Sequence, residues 1–384
     1  MQTILLLVII LGILVFVHEL GHFLVAIRNG VKAEEFGFGF PPRILGIVKE
    51  KGKKRIIWGN KNVKSDATIF SLNWIPLGGF VKIKGENGEN KEKKEKDSFA
   101  SQSAWVRIKI LAAGVMMNFF LAWILMSVVF MLGAPEIIEN KNNNQHQKVQ
   151  ITQVLPNTPA AQAELQVGDE IISLKYNQNY LKINSVQEVQ NFVQKHKGEE
   201  IIIKLKRGNK IIKKNITPRK NPPQNQGALG IGLANTTLVK YPWYQAIYKG
   251  LVATFNAALL IFTFLGILLK KLFGGVSVAD QVAGPVGIAY MTKQVSELGL
   301  IYLLQFMAIL SINLGVINIL PFPALDGGRI LFILIEKIKG KPLSQKIENL
   351  MHNLGFILLI SVMIVVTFND FLRYHLIDKI KHLF

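Results

Sequence analysis

Long apolar runs recur from one end of the chain to the other, and they limit what it can fold into. They occupy Thr3 to Ile27, Val106 to Leu132, Leu251 to Leu269, Leu300 to Leu320 and Phe356 to Thr367. Most approach the ~20 residues that a helix needs to cross a ~30 Å hydrocarbon core. Half of the 384 residues are hydrophobic and 18% are charged, a balance that belongs to membrane proteins. The expectation is a polytopic α-helical membrane protein with about four transmembrane helices. The run from 251 to 269 is interrupted by Ala, Gly, Thr and Asn, so residues 242–299 are read as a membrane-associated helical segment.

The formal charge of +20 does not indicate nucleic acid. The lysines are spread between the apolar runs without the interleaved aromatics of a single-strand binder. They read instead as topology signals and contacts to an anionic bilayer. No Lys or Arg precedes the first run, whereas Arg28 and Lys32 follow it. The positive-inside rule then places the N-terminus outside and residues from about 28 to 104 in the cytoplasm. With no cysteine, the chain has no disulfide and no thiolate to bind metal.

Composition divides the chain further. Residues 1–30 read as the first transmembrane helix and 105–133 as the second. Between them, 31–104 is a β-rich re-entrant segment broken by Gly and Pro, followed by the lysine-rich linker NGENKEKKEKDSFASQS. In the second helix Gly114 and Asn118 are four apart, the spacing by which small and polar residues let membrane helices approach closely. Residues 140–235 are polar, with strand-like VQITQVL, EIISLKY, EEIIIKLKRG and KIIKKNI and helix-like SVQEVQNFVQKH. Pattern alone makes this a small α+β domain outside the cytoplasm. A third transmembrane helix is expected over 300–330, ending in Asp326 and a Gly pair, and a last one over 350–370.

The first run contains HELGH at 18–22. Residues four apart share a helix face, so His18 and His22 can reach one metal ion while Glu19 points at the water it binds. Ionisable groups inside a span are costly, and three within five residues need a compensating partner, which a divalent cation supplies. The pattern is that of a zinc hydrolase, with Glu19 as the base. A third ligand is missing. His146, His196, His352, His375 and His382 lie in polar segments or at helix ends, which leaves Asp326 as the candidate. Non-catalytic readings are a membrane scaffold with a structural metal site and a transporter with buried charges.

Together these segments resemble the site-2 protease family. The matching blocks are HELGH, FGFGFPPR at 36–43, WIPLGGFVKIKGE at 74–86, DSFASQSAWVR at 97–107, AAGVMMN at 112–118, GPVGI at 284–288 and NLGVINILPFPALDGGR at 313–329. The resemblance implies an intramembrane zinc endopeptidase of the bacterial cytoplasmic membrane, with Glu19 catalytic and His18, His22 and Asp326 binding Zn2+. Its substrates would be single-span membrane proteins such as anti-sigma factors, and signal-peptide remnants. It gives Asn313 and Asn318 a role in holding the substrate strand or polarising its carbonyl near the metal. It also makes Gly78 to Glu86, including Gly79, Phe80 and Val81, a membrane-associated β-hairpin that meets the substrate as a strand. By the same resemblance 140–235 is a PDZ-like domain, with GALGIGL at 227–233 as a peptide-binding loop. Members with two such domains in tandem are known, and this chain has room for one.

Overall fold

The computed structural model describes residues 2–50, 52–61, 63, 65–86, 95–137, 147–224, 226–276, 278, 281–341 and 344–373. The lysine-rich part of the linker, 87–94, and His146, His375 and His382 lie outside them. Along the chain run α1 (Gln2–Arg28), β1 (Ala33–Glu50), β2 (Lys53–Trp58), β3 (Ile69–Ile83), α2 (Ala104–Leu132), β4 (Ala134–Ile137), β5 (Lys148–Val154), α3 (Pro159–Gln162), β6 (Glu170–Tyr176), β7 (Asn179–Lys182), α4 (Val186–Lys195), β8 (Ile201–Arg207), β9 (Lys210–Ile216) and β10 (Ile231–Val239). Then follow α5 (Trp243–Phe273), α6 (Pro285–Leu298), α7 (Leu300–Ile319), α8 (Asp326–Lys339) and α9 (Gln345–Arg373). These elements form two compact units. One comprises Met1–Met126, Gly250–Thr292 and Met307–Phe384, the other Ser127–Lys249 and Lys293–Phe306.

Among the described residues five helices, not about four, are long and apolar enough to cross a membrane: α1, α2, α5, α7 and Lys346–Arg373 of α9. The chain is a multi-pass membrane protein. The additional one is α5, an unbroken helix of 31 residues. The residues that interrupt its hydropathy do not interrupt its backbone. Thr254 and Thr263 donate their hydroxyls to the carbonyls of Gly250 and Leu259 one turn back, at 2.8 and 2.9 Å. Ala257 and Ala258 pack on Ala122, Ala308 and Ile312.

In the membrane unit, α1 buries Leu14, His18, Gly21, His22 and Ala26 along one stripe, while Ile9, Ile13, Leu24 and Ile27 are exposed. At ~1.5 Å per residue the helix is about 40 Å long, enough for a span. Beside it lies a sheet of order β2-β1-β3. Residues 35–38 of β1 have β3 on both sides, pairing with Lys82 to Gly79 and with Ile69 to Leu72. That is achieved because β3 doubles back near Gly78, where φ is +104°. The sheet leaves Trp58, Phe70, Leu72 and Trp74 exposed, a surface suited to lipid rather than to water. At the far end, Asp370 of α9 accepts the Gly287 N–H at 2.7 Å and so caps the start of α6.

The expected helix over 300–330 does not exist as one element. It stops at Ile319, and Asp326 opens α8 instead of ending α7. Pro321 and Pro323 forbid helix continuation, and Ala324 takes a φ of +78° while its N–H donates to His352 Nδ1 at 3.0 Å. The chain then turns back tightly. A Cβ on Gly327 would lie 2.2 Å from the Ile319 carbonyl oxygen, and one on Gly328 2.2 Å from that of Phe322. Only glycine permits the turn that presents Asp326.

The second unit is built on a sheet of order β4-β10-β5-β6-β8-β9, with β7 paired to β6. Strict alternation in β8 sends Ile201, Ile203 and Leu205 into a core with Val149, Ile151, Ile171 and Leu174. The α4 helix closes that core with Val189 and Val193, its start capped by Ser185 Oγ on the Glu188 N–H. The sheet reaches past 140–235 at both ends, because Thr236 to Val239 pair with Ile137 to Ala134.

Candidate metal and catalytic site

His18 and His22 sit one turn apart on the buried stripe of α1, 7% and 6% exposed. Their Nε2 atoms are 3.1 Å apart. Asp326 Oδ2 lies 3.0 Å from His18 Nε2 and 3.5 Å from His22 Nε2. These residues are the group among the described ones that could hold a metal ion. The fit can be tested on the donor set itself. Asp326 Oδ2 is buried and receives no hydrogen bond among the described residues, a costly state for a carboxylate without a cation. Three nitrogen and oxygen ligands at zinc distances of ~2.0–2.1 Å would stand about 3.3 Å apart in a tetrahedron, and the observed separations bracket that value. The residues fit the ion.

The helix α2 orients both rings. His22 Nδ1 is 2.8 Å from the Ile110 carbonyl oxygen. A carbonyl only accepts, so Nδ1 carries the proton and Nε2 keeps its lone pair. His18 Nδ1 meets the Asn118 side-chain amide at 3.1 Å. Asn118 is fully buried, and its backbone carbonyl accepts the Ser311 hydroxyl at 2.8 Å, which ties it to α7. Gly114 completes the seat, since a Cβ there would lie 2.3 Å from His22 Nε2 and 2.8 Å from His18 Cε1.

Glu19 is held by the sheet. Its Oε2 accepts the Val81 backbone N–H at 3.1 Å, and among the described residues no other protein donor reaches this carboxylate. Glu19, His22, Val81, Asp326, Glu86 and Arg329 share a cavity of about 140 Å3, with room for several waters. Arg329, one turn into α8, forms an ion pair with Glu86 at the cavity wall. Below, Ala26, Ile83, Phe99, Ile110 and Ile333 pack α1, β3, α2 and α8 together, so the four sources of site residues share one core.

Not every expected site residue joins this cluster. Asn313 donates its amide to the Ile309 carbonyl in its own helix at 3.0 Å, and the Asn318 side chain makes no hydrogen bond among the described residues. Neither lines the cavity. Gly78 is buried against α1, where a Cβ would lie 2.6 Å from Val15 Cβ, and Gly79 against β1, where one would lie 2.8 Å from the Gly37 carbonyl oxygen. Phe80 and Val81 follow on the same arm of β3. Sequence reasoning missed Asn118 and Ile110 as partners of the histidines. Asn118 read as helix packing, and a polar residue deep in an apolar run is the one signal that it carried. Ile110 acts through its backbone, for which the sequence holds no signal.

In the second unit, α4 and residues 227–233 line a groove of about 170 Å3, with Val189, Val193, Leu229 and Leu233 among its walls. Residues 231–235 of β10 pair with β5 on one side, while β4 joins their other side from Thr236 onward.

Comparison with known proteins agrees with this geometry. The model of peptidase family M50 matches residues 6–362. The chain is 31% identical to the regulator of sigma-W protease of Bacillus subtilis, over 97% of this chain and 99% of the relative. It is 30% identical to a zinc metalloprotease of Bacillus licheniformis, over 97% and 99%. To the regulator of sigma E protease of Haemophilus influenzae it is 28% identical, over 95% and 98%. With a family match across nearly the whole length, laid over two buried histidines and a half-buried aspartate beside a glutamate, the chain belongs to peptidase family M50, the site-2 protease family of zinc metalloproteases.

Proposed function

We propose that the chain is an endopeptidase that cuts single-span substrates inside the bilayer, with His18, His22 and Asp326 as the zinc ligands and Glu19 as the base. The observation that carries this reading is the convergence of three ligand atoms beside a glutamate in a bundle whose outer faces are apolar. When bound, the ion supplies Lewis acidity, polarising a carbonyl and acidifying a water. Glu19 takes the proton from that water and returns it to the leaving amine. The Val81 N–H fixes the direction of its carboxylate, and the cavity beside it admits water from the side of Glu86 and Arg329. A helical substrate has every carbonyl engaged and must be unwound before cleavage. The arm of β3 from Gly78 to Val81 would receive it as a strand, with Asn313 and Asn318 holding it further along. Regulators of sigma factors among the relatives point to anti-sigma-type substrates.

The positive-inside pattern puts the N-terminus and the second unit outside the cytoplasm. Because Asp326 meets the cytoplasmic half of α1, α7 must start on the same face as α1, so residues 243–299 begin and end on that face. The second unit is read as PDZ-like, its groove taking an extended peptide beside residues 231–235 of β10.

The test compares purified wild type with Glu19→Gln, in detergent, for zinc content and cleavage of a tagged single-span substrate. The variant is expected to keep its zinc and its fold while cleavage falls by at least ~100-fold. Undiminished cleavage by the variant refutes the mechanism, and a wild type that holds zinc but cuts nothing favours a structural metal site.

A further inference from the structure

The two histidines are steadied by unlike means. His22 has a backbone carbonyl for its Nδ1 proton, an acceptor that no side-chain substitution removes. Among the described residues the His18 Nδ1 has only the Asn118 amide. An amide nitrogen cannot accept a hydrogen bond. With Nδ2 at His18 Nδ1, the ring would have to accept there and carry its proton on Nε2, the atom that faces His22 and Asp326. The lone pair would then be missing where a cation needs it. Asn118 Oδ1, meanwhile, is buried without a donor. Turning the amide by 180° exchanges the two atoms in nearly the same space and cures both faults: Oδ1 accepts from Nδ1–H, and Nε2 is left with its lone pair.

We propose that Asn118 is a positioning residue that sets the tautomer of His18, presenting its side-chain oxygen to Nδ1 so that Nε2 binds the metal. This rests on the reading of His18, His22 and Asp326 as zinc ligands. Such a partner does for His18 what the Ile110 carbonyl does for His22. Its anchor is the Ser311 hydroxyl on the Asn118 carbonyl, so α7 steadies the residue that steadies the ring. The deep burial of Asn118 in a membrane helix is then explained by the metal rather than by helix association alone. A polar side chain at this depth otherwise costs stability.

The experiment measures zinc affinity of the full-length protein in detergent by competition with a chromogenic chelator, beside thermal melting. Asn118→Leu keeps the approximate shape and removes the acceptor. Asn118→Asp keeps the acceptor. The leucine variant is expected to bind zinc ~10–100-fold more weakly, while the aspartate variant stays close to wild type. A residue needed only for packing would give no such split. Wild-type affinity in the leucine variant, or equal weakening in both, overturns the proposal. If the leucine variant does not stay monodisperse, Asn118→Ser, whose hydroxyl is too short to reach Nδ1, replaces it under the same criteria. A wild type that binds no zinc would instead overturn the ligand assignment beneath, so the two failures can be told apart.

Discussion

Asp169 of the second unit and Asp326 of the membrane unit are both largely withdrawn from solvent, and the two are treated in opposite ways. Asp169 is fully buried in the second unit. Arg207 grips it with Nε on Oδ1 at 2.7 Å and Nη2 on Oδ2 at 2.8 Å, and the Gln166 N–H adds a bond of 2.9 Å to Oδ2. The contact also pushes the guanidinium further towards its charged form. Asp326 has no such grip, since its Oδ2 faces two imidazole nitrogens and receives no hydrogen bond. Removing a carboxylate from water costs several kcal/mol unless charge and hydrogen bonds offset it. At Asp169 the protein supplies the offset itself, and the pair is architecture. At Asp326 the proposed zinc ion would supply the offset, in keeping with the two imidazole nitrogens that face the same oxygen.

Asparagine at each position gives the largest effects and sets the contrast most directly. Asp326→Asn removes a ligand charge and relieves an uncompensated one, so the fold should persist. Zinc affinity should fall by more than the ~100-fold that loss of a ligand's supporting partner costs. Asp169→Asn takes from the buried Arg207 its bidentate partner, leaving the longer contact to Glu297 at 3.7 Å as its counter-charge, and should destabilise the second unit by about 3 kcal/mol, with zinc content unchanged. Metal analysis and differential melting of the two variants read both. If Asp326→Asn keeps its zinc, or Asp169→Asn loses it, the division between ligand and architecture is wrong.

A methyl group at Gly114 tests the same contrast from the other side of the site. The Cβ of Gly114→Ala would press on His22 Nε2 and His18 Cε1, against rings that can yield only by turning away from the ligand positions. The expected result is zinc affinity at least ~10-fold weaker, the scale on which misoriented ligands lose metal, with the melting of the second unit unaltered. Wild-type affinity in this variant would mean that the rings have slack.

How far the sequence discloses this site can be judged residue by residue. His18, Glu19 and His22 are legible because one helical turn brings them together, and helical periodicity is local information. Asp326 is legible as the candidate third ligand by elimination, but its setting is not. Reading the apolar pattern through Pro321 and Pro323 places it at a helix end, whereas the prolines stop α7 early and let a new helix begin with it. The extent of α5 is hidden for a related reason, since hydropathy registers its threonines as breaks while their hydroxyls bond within the helix. Partners such as Ile110 and Asn118 depend on how α2 packs against α1, about a hundred positions away in sequence, and no local pattern contains that.

The smallest effect belongs to an aspartate that is neither buried nor a ligand. Asp97 is 43% exposed and pairs with Lys84, whose Nζ lies 2.9 Å from Oδ1, while Glu95 binds the same ammonium. The Lys84 hydrogen bond holds the Asp97 carboxyl below its usual range, and Glu95 and Asp97 hold the ammonium above its own. Stabilisation from a depressed carboxylate is present above its unfolded value near ~4 and is lost as pH falls through the lower folded value. That from a raised lysine is present below ~10.4 and fades only above it. The contribution should therefore be level from about pH 5 to 9 and shrink below pH ~4. Because Asp97 and Glu95 are open to solvent, Lys84→Met should cost no more than ~1 kcal/mol. The backbone bonds from Phe99 N to the Lys84 carbonyl and from Lys32 N to the Asp97 carbonyl, 2.8 and 2.9 Å, stay in place. Amide exchange at Phe99 and Lys32, compared between variant and wild type across that range, reads the difference. A cost as large as that of Asp169→Asn would show that exposure does not rank these three carboxylates after all.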